Sequence, residues 1–100
     1  MTKQRTTKLP ALAVGTGKDE IATLAQAHDA LTRVRPSSGA SAAQWEAFHR
    51  LAAQVYEAVS DVDRGHHHEA RGYWAVRERR RAEHIAATGE VPSSSWEASW

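Results

Sequence analysis

Trp45, Phe48, Ala52, Val55, Val59 and Val62 follow one another at steps of three and four residues, which lays one apolar stripe along a single face of an α-helix. A helix patterned this way must bury that face against another element. The flanking sequence predicts which elements those are. Upstream, Ile21, Leu24, Ala25, His28 and Leu31 share a face of a helix predicted over residues 18–34. Asp19 and Glu20 complement the positive end of its dipole, and Pro36 stops it. Ser37, Ser38 and Gly39 make the turn. Ser41-Ala42-Ala43-Gln44 then opens the second helix as a capping box, in which the serine oxygen accepts from the Gln44 amide while Gln44 reaches back. Two amphipathic helices joined by so short a loop predict an antiparallel hairpin.

After Val62 two readings compete. Asp63-Arg64-Gly65 predicts a break or kink, followed by a third helix from about residue 66 to 88 that Gly89 closes. The phase of the stripe also runs on through Ala70, Trp74, Arg77 and Ile85, so one long second helix is the alternative, at a cost of about 1 kcal/mol for Gly65. The break is the favoured reading. The fold class is all-α: an antiparallel helical hairpin plus a third, Arg-rich helical segment, as a small three-helix bundle or with a long kinked second helix. Residues 1–17 are expected to form a disordered basic arm, 18–89 the helical domain, and 90–100 a flexible Trp-containing tail.

Ile occurs only at 21 and 85 and Phe only at 48, so the apolar content rests largely on Ala and the core must be thin. A thin core makes self-association or a partner an expectation. With no cysteine the chain offers no disulfide, thiolate metal site or cysteine nucleophile. The apolar run from Leu9 to Val14 is interrupted by Pro10 and is too short for a signal peptide core or a membrane span, so a cytoplasmic protein is expected. Gly15-Thr16-Gly17-Lys18 invites comparison with a phosphate-binding loop. It lacks the four-residue spacer between glycines, and Asp19 follows the lysine where Ser or Thr is required.

The densest polar cluster runs Asp61, Asp63, His66, His67, His68 and Glu69. Consecutive histidines on a helix point about 100° apart, and only Asp63 with His67 has the i, i+4 spacing of helical metal ligands. The cluster is therefore read as a polar junction acting through protonation and ion pairing. No metal, cofactor or catalytic residue is assigned, and His28 and His49 are read as hydrogen-bonded histidines at the core edge. Charge is polarised: residues 64–84 carry six Arg against Glu69, Glu78 and Glu83, whereas residues 18–63 carry four basic and seven acidic groups. The Arg-rich helix can pair with its own acidic hairpin or a second copy, or meet phosphates with Tyr73 and Trp74 available for stacking. Candidate interaction residues are Arg71, Tyr73, Trp74, Arg77, Arg80 and Arg81, with Trp96 and Trp100 of the tail.

The run Trp45-Glu46-Ala47-Phe48-His49-Arg50, the stretch from Asp61 to Ala70, and Tyr73-Trp74 resemble a family of small actinobacterial proteins. The similarity covers about residues 20–88. It implies a compact helical protein without an established activity, in keeping with the excess of Arg over Lys and the absence of Asn. The expected role is a non-enzymatic interaction or regulatory accessory protein acting on an unidentified protein or as a homodimer. A nucleic-acid-binding accessory protein is the alternative, and a ribosomal precursor peptide with a C-terminal Trp substrate a remote one.

Overall fold

The computed structural model describes residues 12–91. Its helices are α1 (Leu24–Val34), α2 (Ala42–Val62), α3 (His67–Glu69) and α4 (Ala75–Thr88). A 3-10 turn over Arg64–His66 follows α2, and a π-helical segment over Ala70–Trp74 joins α3 to α4. Backbone angles stay in the right-handed helical region at His67, Glu69, Ala70, Trp74 and Ala75. Residues 67–88 therefore form one continuous third helix carrying a π turn.

The capping box predicted at Ser41 is present: Gln44 N donates to Ser41 Oγ at 3.1 Å and Ser41 N donates to Gln44 Oε1 at 2.9 Å. Gly89 closes the third helix with φ 71°, a left-handed conformation that costs glycine nothing. The predicted break is also found, since α2 ends at Asp63 and the 3-10 turn reverses the chain. Pairings between α2 and the third helix run in opposite directions, with Ser60 beside Arg71 and His49 beside Glu78. A radius of gyration of 13.9 Å, close to the roughly 13 Å of a compact domain this size, agrees with a folded-back bundle and not with one extended helix.

Helix 1 begins later than the sequence pattern suggests. Thr23 caps it through a second capping box, Gln26 N donating to Thr23 Oγ1 at 3.1 Å and Thr23 N to Gln26 Oε1 at 3.2 Å. Residues 12–23 form instead a tight turn in which Val14 and Ile21 make an isolated bridge, with Ile21 N donating to Ala13 O and Gly15 N to Ile21 O. Glu20 supports that turn from inside: Gly17 N donates to its Oε1 at 2.8 Å, and a Cβ on Gly17 would lie 2.6 Å from that oxygen. The glycines that resemble a phosphate loop hold the chain's own carboxylate. Leu12 and Val14 pack on the core, so residues 12–17 are ordered where a disordered arm is expected, and residues 1–11 of that expectation lie outside the described residues.

The core joins Leu24, Ala27 and Leu31 of α1 to Trp45, Phe48, Ala52, Val55, Tyr56 and Val59 of α2 and to Ala70, Ala75 and Ile85 of the third helix. Ala27, not Ala25, lies on the inner face of α1, at steps of three and four between Leu24 and Leu31. On the third helix the buried positions are 70, 75, 78, 81, 82 and 85; of the phase 70, 74, 77 and 85 that the single-long-helix alternative carried over from α2, 70 and 85 are buried, Trp74 packs at the core edge and Arg77 is half-buried. The π turn inserts one extra residue and advances the phase after it. Ala70, Ala75 and Ala82 are fully buried, so small side chains let the helices approach closely. Ala75→Leu is therefore expected to lower stability by about 1–3 kcal/mol through overpacking. An unchanged urea midpoint would show that the contact at Ala75 is loose.

Candidate functional site

Two polar assemblies are built into this frame. The first is the junction at the end of α2. Asp63 Oδ2 accepts from Leu24 N at 2.8 Å, which satisfies a free N–H at the start of α1, and lies 2.9 Å from His66 Nδ1. The Leu24 N–H first, and then His66, hold the Asp63 carboxyl below the usual carboxylate range. Hydrogen bonding to Asp63 and its charge in turn raise the His66 pKa. His67 Nδ1 donates back to Ser60 O at 2.8 Å, and the His68 ring lies edge-on to His67 at 5.3 Å. Asp63 and His67, whose spacing would suit helical metal ligands, have separate partners, because the 3-10 turn sets Asp63 against His66 at i, i+3. Asp61 meets Arg71, and Glu69 is exposed. Among the described residues no group of three or more His, Asp or Glu converges as a metal ion requires.

The second assembly is a buried charge cluster beside a cavity where α1, α2 and the third helix meet. Glu78 is 5% exposed and occupies a core position. Its Oε1 accepts from His49 Nδ1 at 2.6 Å, and its Oε2 from Arg77 Nη1 and Arg81 Nη1, both at 3.3 Å. Nearby, His28 Nδ1 lies 2.7 Å from the Tyr56 hydroxyl, and the Trp74 ring approaches His28 edge-on at 4.5 Å. Burial first, then the Arg77 guanidinium, lower the His28 pKa against the opposing effect of Glu78. Burial, with the Glu78 charge, pushes the Tyr56 phenol well above its ordinary value. Tyr56 thus keeps its proton and can donate to a neutral His28, which then carries its own proton on Nε2.

The candidate interaction residues divide between these assemblies and the surface. Arg71 is exposed but reaches back to the end of α2, donating from Nε to Ser60 Oγ at 3.0 Å and from Nη2 to Glu57 O at 3.3 Å. Arg81 is only 2% exposed and belongs to the core cluster, and Arg77 lies against Trp74 and Glu78, which corrects their placement on an outer face. Trp74 packs on the core, whereas Tyr73 is 48% exposed and Arg80 is exposed. Arg79, absent from the candidates, pairs with Glu57 across the helices. Trp96 and Trp100 lie outside the described residues. Glu78 was missed as well, although Ala75, Glu78, Ala82 and Ile85 already show the stepping of an inner face. Compared with protein-family models, curated proteins and solved structures, the chain shows no match.

Two outcomes follow from this geometry. Breaking a desolvated ion cluster leaves an uncompensated charge, so Glu78→Gln is expected to cost about 3–5 kcal/mol. The joint replacement Glu78→Leu, Arg81→Met should recover much of that loss in chemical denaturation, and failure to recover it would place the cost in packing. For the junction, the His66 contribution is present below its ordinary pKa of 6.5 and is lost as pH rises through the raised folded value. The Asp63 contribution is present above 3.8 and is lost as pH falls through the lowered value. His66→Gln should therefore depress the melting temperature more at about pH 5.5 than at about pH 8. Equal depressions at both would mean the pair is electrostatically idle.

Proposed function

We propose that this chain is a non-enzymatic accessory protein of the cytoplasm that works through protein–protein contact, with Tyr73 at the centre of the contact face. The observation that carries this reading is the π turn. It sends Trp74 inward onto His28 and Tyr56 and leaves Tyr73 as the one exposed large aromatic among the described residues. Tyrosine in such a position supplies contact area with few rotatable bonds and a polar tip, the profile of an interface anchor. A second copy of the chain is one partner this face suits.

The arrangement of the arginines lowers support for a nucleic-acid role. Arg71, Arg77, Arg79 and Arg81 each have a carboxylate partner within the chain, which removes much of the charge a phosphate backbone would require. No helix among the described residues is long and apolar enough to cross a membrane. The resemblance to small actinobacterial helical proteins is kept as part of this proposal and brings no activity with it.

Tyr73→Ala tests the reading. The parent chain, fixed on a resin, is expected to retain a specific partner from its native host, or to dimerise in sedimentation equilibrium, and the variant to lose that association with its circular dichroism unchanged. Association indifferent to Tyr73→Ala would overturn the proposal. So would duplex or single-strand binding that falls steeply with added salt.

A further inference from the structure

Charge on the walls of the cavity where α1, α2 and the third helix meet is answered within the chain. Arg77 and Arg81 sit on Glu78, and Arg35, Arg77 and Arg81 each have a further partner in the same chain. The space therefore has no call for an ion from outside. Leu31, Phe48, Ala52 and Trp74 form its apolar walls, and it amounts to about 180 Å³, more than the roughly 150 Å³ that holds a benzene ring. Such a slot is stabilised by a planar apolar group that leaves water to enter it.

The chain itself carries two such groups a short way off. Because α2 pairs in antiparallel fashion with both neighbours, α1 ends, α2 begins and the third helix ends at one end of the bundle. Arg35 stacks on Trp45 there, and Gly89, with φ 71°, turns the chain off the third helix. From Arg81 on the cavity wall to Thr88 that helix rises only about 10 Å. The nine residues 92–100 reach up to about 30 Å when extended, and they include Trp96 and Trp100. Glu97 is their one charged side chain, so the Arg-rich helix they follow attracts them where it would repel a basic segment. A tether this short holds the rings at about millimolar effective concentration, enough to fill a slot too weak to retain a free ligand.

We propose that residues 92–100 turn back along the third helix of the same chain and seat an indole ring, that of Trp96 or Trp100, in this cavity against Phe48 and Trp74. The ring supplements the thin core from outside the helices. The Tyr56 hydroxyl oxygen, on the same lining, can accept from the indole N–H. The site stands apart from the Tyr73 face, because Tyr73 does not line the cavity.

NMR and thermal melting of the full chain test the seat. Nuclear Overhauser contacts are expected from the indole protons of Trp96 or Trp100 to the Phe48 or Trp74 ring. Of the variants Trp96→Ser and Trp100→Ser, the one that removes the seated ring should abolish those contacts and lower the melting temperature by about 4 °C or more. Contacts from these rings to no residue of the cavity would overturn the proposal. So would a melting temperature that neither replacement, alone or combined, displaces. In a mixture of isotope-labelled and unlabelled chains, contacts that arise only between the two populations would seat the ring in a second copy and overturn it as well.

Discussion

The fold turns on one carboxylate. Asp63 ends α2, accepts the N–H of Leu24 at the start of α1, and pairs with His66 in the turn that leads into the third helix. Three chain segments that are 39 and 3 residues away in sequence are thereby tied at one point. The negative charge sits where the dipole of α1 favours it, and a raised imidazole pKa next to it makes the contact charge-assisted below neutrality. With the start of α1 fixed against the end of α2, the short connection over residues 35–41 leaves the hairpin no choice but antiparallel pairing. The third helix then leaves the same junction and runs back along α2.

What fills the space between these helices is unusually small and unusually polar. Alanine is buried at 27, 52, 53, 70, 75 and 82, so large side chains such as Trp45, Phe48 and Tyr56 interlock at only part of the helix contacts. Uniqueness of packing must then come from directional groups. Glu78 supplies them by drawing His49 of α2 and Arg77 and Arg81 of its own helix onto one carboxylate. A buried ion cluster seldom exceeds an apolar replacement in stability, yet it admits only one register between α2 and the third helix. The exposed pairs Arg33–Asp29 and Arg50–Glu46 lie within single helices and contribute little by comparison.

Elements set by local chemistry were legible in the sequence. The Ser41 capping box, the Gly89 cap and the break after Val62 are read from neighbours within four residues and stand in the structure, and the stripe from Trp45 to Val62 is buried as far as Val59, with Val62 half-buried at the helix end. The start of α1 was legible too, in Thr23-Leu24-Ala25-Gln26, but Asp19 and Glu20 offered a competing signal that a tertiary turn absorbs. The π turn left no local trace. Its one extra residue moves Glu78 into the core and Arg77 toward the rim, while Ile85 is buried as the sequence pattern expects. Asp63 was placed in a polar junction, although its partner across 39 residues has no sequence signature.

The opposed charges of the two halves resolve into two separate roles once their burial is known. Arg71 with Asp61 and Arg79 with Glu57 bridge α2 and the third helix where water still reaches them. Such pairs add little stability, but like charges there would oppose antiparallel docking, so they select the arrangement more than they hold it. Arg77 and Arg81 lie where water is largely excluded, both on the Glu78 carboxylate. An apolar lining would give a small, thin-cored domain more stability at that spot. Charge at both depths therefore bears on which way the helices dock more than on how tightly they hold.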